Sequence, residues 1–383
     1  MITALSLQHY KNYTSEKISF HEGIHFFVGQ NGMGKTNLLD AIYYICMAKS
    51  HNSTSDRDIV GFGQEFFRLE AKTRTGTHEH LVAVKVKPGE VKEIVVDGKP
   101  KDRLSGYVGF IPVIMLAPED IVLIQGGSVA RRRFMDIVMC QADRRYLEGL
   151  QRYNRLLAQR NALLKQHGRL ADTTLLMTYS RSMSDAAAYI HQGRDALTRA
   201  LLPDIMTHYD ILSGSEEAPS LRYQSHMFTR DLEALAESSI EADMQNGRTT
   251  KGVHRDDIEI LLDERPVKKY GSQGQIKSLL IALHLAQAAY LKRTTGTMPC
   301  LLLDDIFDKL DEDRSLRLIG LLDPEVATQV FITDASQMRV RRLISNADRP
   351  VFMYNVRHGH VRKVAFRVND EENGNLQTYD EEE

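Results

Sequence analysis

Short apolar runs alternate with helical patterns along the chain, and this alternation predicts a mixed α/β fold. Several runs are mostly apolar and end at turn-forming or acidic residues, which is typical of strands buried in a parallel sheet. They are residues 24–28, 113–116, 300–305, 329–333 and 351–356, and we expect the last of these to be the final strand.

A second group of segments has the composition of strands separated by turns. Near the N-terminus, these segments are residues 2–8, 16–20, 66–72, 81–87 and 91–96. A short strand is expected at 221–228. Residues 257–263 predict another, followed by a turn at 264–265 and a return strand over 266–269.

Residues 128 to about 212 are predominantly helical in pattern. Leu150, Tyr153, Leu157 and Leu164 recur at helical spacing. The break at 166–169 predicts two antiparallel helices. Because strand character returns on the C-terminal side, the helical block is expected to be an insertion between two pieces of one α/β domain.

One segment after the strand at 24–28 matches the phosphate-loop pattern G-x-x-x-x-G-K-[ST] at every fixed position. Its residues are Gly29, Gln30, Asn31, Gly32, Met33, Gly34, Lys35 and Thr36. Such a loop folds backbone N–H groups around a phosphate at a helix N-terminus. Lys35 is expected to reach the β- and γ-phosphates of ATP, and the Thr36 hydroxyl to bind Mg²⁺. The alternative is a glycine-rich turn that binds nothing.

Two acids follow the apolar strand at 300–303, at the end of the strand where α/β sheets bind ligands. Asp304 is predicted to hold Mg²⁺ through water, and Asp305 to orient or deprotonate the attacking water. The alternative is a strand that ends in solvated carboxylates.

These motifs and the helical insertion together suggest four segments. Residues 1–126 are expected to form the first part of an ATPase lobe, and residues 127–250 a mainly helical second lobe. Residues 251–369 would complete the ATPase lobe, and 370–383 would be an acidic disordered tail.

The bulk composition is that of a globular protein: 383 residues, with 49 basic and 51 acidic side chains and a formal net charge of -2. This balance neither requires nor excludes a nucleic-acid partner. The cysteines Cys46, Cys140 and Cys300 form no C-x-x-C pair and are expected to be buried thiols. With no signal pattern and no apolar stretch long enough for a bilayer, we expect a soluble cytoplasmic protein without a membrane partner.

Ser272, Gln273 and Gly274 begin a further predicted helix, over 276–292. Their position shortly before the Asp304 strand resembles the signature of ABC-type ATPases. The resemblance implies that the signature of one copy meets the ATP held by a second copy. Leu310 and Asp311 resemble the D-loop of the same class.

The order of motifs along the chain resembles the RecF family of bacterial DNA-gap repair proteins, which are relatives of the SMC heads. Beyond the phosphate loop, the matching elements include an H-R-D-D and an S-Q-G-Q motif. The matching stretches are residues 10–13, 29–43, 118–120, 131–136, 254–257, 272–275 and 303–305.

The resemblance implies an ABC-type ATPase head that forms an ATP-dependent homodimer on DNA and is released by slow hydrolysis. It also implies ATP contacts from Lys11 and Asn12, and a weak, DNA-stimulated ATPase. The partners implied are single-stranded or gapped DNA and RecR- and RecO-type proteins. The role implied is loading recombinase at gaps, maintaining replication forks and supporting the SOS response.

Several positions depart from the family pattern, which usually has Arg at Lys11 and Glu at Asp40. The strand at 113–116 has no Gln at its end, and Thr333 and Asp334 stand where most ABC ATPases carry a His after the next strand. The missing sensors favour a slow ATPase.

Basic clusters provide the candidate DNA contacts, because Arg and Lys neutralise phosphates. The candidates are Arg131, Arg132 and Arg133, with Arg144–Arg145 and Arg339–Arg342 as further clusters. The alternative for each is a solvated helix face, or, for 131–136, a structural role. Aromatic residues are not interleaved with these clusters, so the sequence predicts no platform for base stacking.

Rival functions remain open on the sequence alone. An ABC-type transporter subunit would need a membrane partner and the missing sensors. An SMC-like head would need long coiled-coil arms, and a nucleotide-binding regulator would not contact DNA at all.

Overall fold

The computed structural model describes residues 1–344, 347 and 349–367. The predicted acidic tail, 370–383, lies outside the described residues. Within the described part of the chain, no helix combines the length and apolar character needed to cross a membrane. Cys46, Cys140 and Cys300 are buried free thiols, as predicted.

Fifteen strands are found in the described residues. In chain order they are β1 (Ile2–Tyr10), β2 (Tyr13–Ser19), β3 (Gly23–Val28), β4 (Phe67–Thr75), β5 (His78–Val86), β6 (Glu93–Val96), β7 (Lys99–Pro100), β8 (Val113–Leu116), β9 (Pro219–Gln224), β10 (Asp257–Leu262), β11 (Arg265–Pro266), β12 (Cys300–Leu303), β13 (Gln329–Asp334), β14 (Val351–Arg357) and β15 (His360–Arg367).

Ten α-helices are found in the same residues. They are α1 (Lys35–Met47), α2 (Val122–Gln125), α3 (Ser128–Ala142), α4 (Arg144–His167), α5 (Thr173–Ser213), α6 (Leu232–Asn246), α7 (Val267–Tyr270), α8 (Gln273–Thr295), α9 (Glu312–Leu321) and α10 (Gln337–Ile344). Most predicted elements are present within a few residues of their expected bounds.

Tertiary contacts divide the chain into two compact units. Unit 1 comprises Met1–Asp120, His208–Gly214 and the described residues from Ile281 onward. Unit 2 comprises Ile121–Thr207 and Ser215–Leu280. This division differs from the predicted boundary at residue 251, because it groups the signature residues with the helical unit.

Unit 1 contains two sheets that differ in strand direction and in burial. The antiparallel sheet has the order β2-β1-β4-β5-β6-β7. Along β4, buried and exposed residues alternate, since only one face of this sheet is covered. The second sheet has the order β15-β14-β3-β13-β12-β8, and its neighbours from β14 to β8 are parallel. Every residue of β3, β12 and β13 is buried, as expected for a parallel sheet covered on both faces.

The helix α1 is the central element of the core of unit 1. Its buried residues, among them Leu38, Leu39 and Ile42, belong to one hydrophobic cluster with residues from both sheets. Burial of this helix on nearly all sides fixes its first turn at the carboxyl ends of the parallel strands. The phosphate-loop segment is therefore held at the edge where α/β sheets bind ligands.

Three predictions differ from the structure. The predicted helical block contains three helices, α3, α4 and α5, rather than two. Residues 263–264 form the tight turn after β10, with positive φ angles of 48° and 59° as a type I′ hairpin turn requires. The return strand β11 then ends at Pro266, and the predicted strand continues instead as the helical turn α7, which buries only Val267. The strand at 351–356 is not the last, because β15 pairs antiparallel with β14.

Candidate nucleotide site

The phosphate loop has the predicted strand–loop–helix context, since β3 leads into it and α1 begins at Lys35. Gly34 has a φ of 112°, which L side chains rarely adopt, and a Cβ there would lie 2.5 Å from the Asn12 side-chain nitrogen. Gly32 also has a positive φ, of 81°. The glycines are therefore required by backbone shape and close approach.

Lys35 places its ammonium group inside the loop. Lys35 is only 4% exposed, and its Nζ donates to the carbonyl oxygens of Gly29, at 2.8 Å, and Gln30, at 3.2 Å. A buried ammonium held by backbone carbonyls keeps a positive charge among the loop's N–H groups. This arrangement suits a polyanion such as a nucleotide phosphate chain.

The segment between β1 and β2, which contains Lys11 and Asn12, lies against the phosphate loop. Asn12 donates to the carbonyl oxygen of Met33 at 3.3 Å and accepts a hydrogen bond from Asn37 at 2.7 Å. Tyr13 donates its hydroxyl to the carbonyl oxygen of Gly34 at 2.9 Å. These contacts fix the shape of the loop from outside.

Asp40, on α1, organises the same corner. Its carboxylate forms a 2.6 Å ion pair with Lys11 and accepts hydrogen bonds from the hydroxyls of Tyr10 and Ser50. It also accepts from the backbone N–H of His51 at 2.8 Å. Sequence analysis noted Asp40 only as a departure from the family pattern; the structure makes it the residue that positions Lys11.

Asp304 follows β12 and meets Thr36 at the start of α1. The Thr36 hydroxyl donates to Asp304 Oδ1 at 3.0 Å, and the Thr333 hydroxyl donates to the same oxygen at 2.6 Å. Burial raises the pKa of Asp304 above its usual value, partly offset by the two hydroxyl hydrogen bonds. In the described part of the chain, no basic side chain forms an ion pair with Asp304.

Asp305, the predicted catalytic carboxylate, has a φ of 44°, a left-handed conformation that few residues other than glycine adopt. Its backbone N–H donates to the Thr333 hydroxyl at 2.9 Å, and its carboxylate has no partner among the described side chains. Thr333 thus links both acids. The sequence signal for the role of Thr333 was a hydroxyl near the carboxyl end of an apolar strand, β13, which pairs with β12.

Asp334 follows Thr333 and is held by Arg339. The guanidinium of Arg339 contacts the carboxylates of Asp334, at 3.0 Å, and Asp308, at 3.1 Å. Burial raises the pKa of Asp334, and Arg339 counteracts this effect. The sequence placed Arg339 in a basic cluster that could contact DNA. Its guanidinium is instead bound to two carboxylates of unit 1.

Ser272 begins α8 in unit 2 and is exposed. Its hydroxyl accepts a hydrogen bond from the backbone N–H of Gln275 at 3.2 Å, and the Gln275 side chain accepts one from the N–H of Ser272 at 2.6 Å. This is a reciprocal capping box. Gln273 is exposed and Gly274 half-buried in the first turn, so this helix start is open on its outer side.

The candidate DNA contacts have other partners. Arg131 is buried and forms two hydrogen bonds, of 2.6 and 2.9 Å, with the carboxylate of Asp257. Arg132 donates to the carbonyl oxygen of Asp256 at 2.6 Å, and burial lowers its pKa. These contacts favour the structural alternative for both arginines. Arg133 is exposed.

The residues around Thr36 and Asp304 fit Mg²⁺. Carboxylate and hydroxyl oxygens are hard ligands, and Mg²⁺ is commonly bound by one or two protein groups plus substrate phosphates and water. Asp304 supplies a buried carboxylate with which no basic side chain of the described residues forms an ion pair. The described residues contain no group of three or more His, Cys, Asp or Glu side chains that could hold a metal ion, so Mg²⁺ at Thr36 and Asp304 would depend on phosphate and water for its other ligands.

Comparison with known proteins decides the family. The family described as the RecF/RecN/SMC N terminal domain matches residues 1–362. The DNA replication and repair protein RecF of Cytophaga hutchinsonii is 40% identical over 364 residues, which cover 94% of this chain and 96% of that protein. The protein of the same name from Flavobacterium johnsoniae is 37% identical, with 93% and 99% covered. The chain belongs to the RecF family.

Solved structures agree with this RecF assignment. The structure of the recombination mediator protein RecF with ATPrS, in the RecFOR pathway, matches with a TM-score of 0.85 at 26% identity, covering 95% of this chain and 98% of that chain. The corresponding RecF structure with ATP has a TM-score of 0.83 at 26% identity, with 95% and 97% covered. An Smc head bound to a domain of ScpA shares the fold, with a TM-score of 0.56 at 15% identity and 97% and 98% covered. The predicted ABC-type ATPase head is confirmed.

Proposed function

We propose that this RecF-family protein is an ATP-dependent DNA-binding protein of replication and recombinational repair. In this proposal, ATP joins two copies on single-stranded or gapped DNA, and slow hydrolysis releases them. The relatives are named DNA replication and repair proteins, and the solved relatives contain ATP or ATPrS. The observation that carries the proposal is the junction of Lys35, Thr36 and Asp304 at the phosphate loop.

The chemistry follows from the side chains at this junction. Lys35 and the loop N–H groups would bind the β- and γ-phosphates. Mg²⁺ held by Thr36 and Asp304 would neutralise part of the phosphate charge. The carboxylate of Asp305 has no partner among the described side chains. It would orient the attacking water and accept its proton.

Hydrolysis is expected to be slow and stimulated by DNA. Asp334 stands at the position where fast ABC ATPases carry a sensor histidine, and Arg339 holds its carboxylate. An acceptor-only carboxylate cannot donate a hydrogen bond to a γ-phosphate as a histidine can. ATP turnover would therefore time the release of DNA rather than drive a motor.

The proposed dimer uses the signature in trans. Ser272 and Gln273 are exposed at the start of α8, where a helix provides N–H donors. In the proposal they meet the γ-phosphate held by a second copy, which makes the interface two-fold. ADP lacks this phosphate, so only ATP favours the dimer. RecR- and RecO-type repair proteins are the proposed partners, in line with the RecFOR pathway of the solved relatives.

Sedimentation with ATP, ADP and a slowly hydrolysed analogue tests the proposal. We expect the wild-type chain to dimerise with ATP and the analogue only, and Ser272→Arg to bind ATP as a monomer. Ser238→Arg is the matched control, since it adds the same side chain at an exposed position of α6 in the same unit. A wild-type chain that stays monomeric with ATP and DNA, or a dimeric Ser272→Arg, would refute the mechanism.

The DNA role has its own test. A salt titration of DNA binding with and without ATP should show tighter binding with ATP and a linear loss of log affinity with log salt concentration. Absence of DNA binding both with and without ATP would favour a nucleotide-binding regulator that does not contact DNA, and equal binding in the two conditions would contradict the ATP dependence.

A further inference from the structure

In unit 2, an exposed phenylalanine packs on two aromatic side chains, His191 and Tyr223, which form its aromatic base. Phe228 ends a short 3-10 turn, His226–Phe228, and is 54% exposed. Its ring packs edge-on against the rings of His191, with centroids 4.7 Å apart, and Tyr223, at 5.5 Å. The Ser225 hydroxyl caps the turn by accepting from the N–H of Met227. The ring is therefore both accessible and fixed.

The aromatic base is itself anchored in the interior of the unit. Tyr223 donates its hydroxyl to Asp256 Oδ2 at 2.5 Å, and Arg194 donates to the same oxygen at 2.9 Å. Arg194 also pairs with Asp136. This buried network holds Tyr223, and through it the seat of Phe228, in one position.

Basic residues lie next to the turn that carries Phe228, either in contact with His226 or close in sequence. Lys251 Nζ lies 3.3 Å from His226 Nε2, which places its charge beside the turn. Arg255 and Arg230 are exposed, and neither has a hydrogen-bond or ion-pair partner for its guanidinium within the described residues. Burial, and then the positive charge of Lys251, lower the pKa of His226, with a smaller effect from Arg255, which agrees with this crowding of cations.

Two acids near the turn, Asp256 and Asp231, have hydrogen-bond partners other than these basic side chains. Asp256 is 1% exposed and is engaged by Arg194 and Tyr223. Asp231 accepts from the N–H of Ala234 and caps α6. The surface thus presents one flat apolar ring near three basic residues, Arg230, Lys251 and Arg255, that form no ion pair within the described residues. That chemistry matches a nucleic-acid strand, whose bases have π-faces and whose backbone carries one negative charge per phosphate.

We propose that this surface, the Phe228 platform (Tyr223, His226, Phe228, Arg230, Lys251 and Arg255), binds single-stranded nucleic acid by stacking an unpaired base on Phe228. Lys251, Arg230 and Arg255 bind the adjacent phosphates. The bases of an intact duplex are stacked on each other and offer no free face, so the platform selects gaps, tails or ends. This inference rests on the proposed DNA role and assigns it a contact surface.

The sequence provides a direct probe of the platform, because the chain contains no tryptophan. Phe228→Trp therefore introduces a single indole at the proposed stacking position, where it can replace phenylalanine as a platform. Leu170→Trp is the matched control, because Leu170 is 90% exposed and lies in the same unit but outside the platform. We expect single-stranded oligonucleotide and gapped duplex to quench the fluorescence of Phe228→Trp strongly, blunt duplex to quench it weakly, and Leu170→Trp to show no quenching.

Affinity measurements by anisotropy complete the test. Phe228→Ala should weaken binding of gapped DNA about 5- to 100-fold, as expected for loss of one stacked base. Arg255→Ala should reduce the salt slope by about 0.7, one single-strand phosphate contact. Arg155→Ala, another exposed arginine of this unit, should not. ATP-induced thermal stabilisation should stay unchanged in all variants.

The outcomes separate the platform from the proposed function. If wild type binds gapped DNA but Phe228→Ala binds it equally well and Phe228→Trp is not quenched, the platform is refuted while the DNA role stands. The exposed aromatic would then be assigned to a protein contact. If wild type binds no DNA with ATP at low salt, both proposals are refuted.

Discussion

Two buried carboxylates, one in each unit, have opposite surroundings. Asp304 in unit 1 is 4% exposed and accepts hydrogen bonds from the hydroxyls of Thr36 and Thr333, with no basic partner in the described residues. Asp256 in unit 2 is 1% exposed and is paired with the guanidinium of Arg194 and the hydroxyl of Tyr223. From the sequence alone, both are acidic residues next to a motif, and nothing distinguishes their roles.

The difference separates buried charged groups that stabilise the fold from those that are available to bind a ligand. A buried charge is costly unless it is paired, so Asp256 with its built-in cation is a structural element. Asp304 has no basic partner among the described residues, and burial raises its pKa. Such a group is prepared to receive a cation with the ligand.

The same rule separates the arginines of unit 2. Arg160 is fully buried and pairs with fully buried Asp243 at 2.8 Å, and Arg131 is bound to Asp257. Arg230 and Arg255 are exposed, and the described residues provide their guanidinium groups with no partner. The sequence alone does not show whether an arginine is structural or available for binding. Its burial and its ion-pair partners in the structure do.

The largest effect is expected from breaking the structural pair. Arg160→Met should lower the free energy of unfolding by about 3–5 kcal/mol, because Asp243 would be left as a buried unpaired charge. Arg144→Met, which removes an exposed i,i+4 pair with Glu148, should change it by less than about 1 kcal/mol. Thermal and urea melting of both variants checks this, and replacing Asp243 by Leu in the Arg160→Met background should recover part of the loss. Equal melting of the two single variants would contradict the comparison.

Asp305→Asn should slow ATP hydrolysis about 10²- to 10³-fold, or 2.7–4 kcal/mol in barrier height, since an amide cannot accept the proton of the attacking water. ATP binding should persist, and the ATP-bound dimer should last longer. Asp308→Asn is the control, because Asp308 is an acid of the same loop whose partner is Arg339. Wild-type turnover in Asp305→Asn would remove Asp305 from the catalytic role.

Lys35→Ala should abolish the stabilisation that ATP with Mg²⁺ gives, which is about 2.7 kcal/mol for wild type at a ligand concentration of 100 times Kd. The variant should remain folded, because the loop carbonyls it leaves can be solvated. Lys17→Ala, at an exposed position of β2, is the control. Equal ATP-induced shifts in melting temperature for wild type and Lys35→Ala would end the phosphate-loop assignment.

Buried histidines extend the comparison to pH. Burial lowers the pKa of His25 in unit 1 to about 3, where the ring stacks on Phe331 and Phe352. The unfolded chain binds a proton near pH 6.5 and the folded chain does not, so stability is present above 6.5 and falls by about 1.4 kcal/mol per pH unit below it. His25→Phe should flatten this slope between pH 6.5 and 5 in melting experiments. His360→Phe, at an exposed histidine, should not.

The sequence predicted most strands and helices and the nucleotide loop because those signals are local. A strand, a loop with fixed glycines and a helix are contiguous over 24–47, so each supports the others. Asp304 was found for the same reason, since it directly follows an apolar run.

What the sequence missed is assembled from distant segments. The role of Thr333 depends on β13 lying beside β12, and the seat of Phe228 combines residues from α5, β9 and the 3-10 turn. The sequence predicted no stacking platform because aromatic residues are not interleaved with the basic clusters, and the Phe228 variants test that prediction. Arg131 looked like a phosphate contact because its partner, Asp257, lies 126 residues away.

The smallest expected effect tests the comparison most directly. Asp304→Asn keeps an oxygen that accepts from the hydroxyls of Thr36 and Thr333 but removes the uncompensated buried charge, so the nucleotide-free protein should be stabilised, by no more than about 1 kcal/mol. Asp256→Asn should instead destabilise it, because Arg194 loses one of its two carboxylate partners. With ATP and Mg²⁺ the order should reverse: Asp256→Asn keeps the ligand-induced shift in melting temperature, whereas Asp304→Asn loses the part that depends on Mg²⁺. Destabilisation of both variants without ligand, with both retaining the Mg²⁺-dependent shift, would show that Asp304 belongs to the frame as Asp256 does.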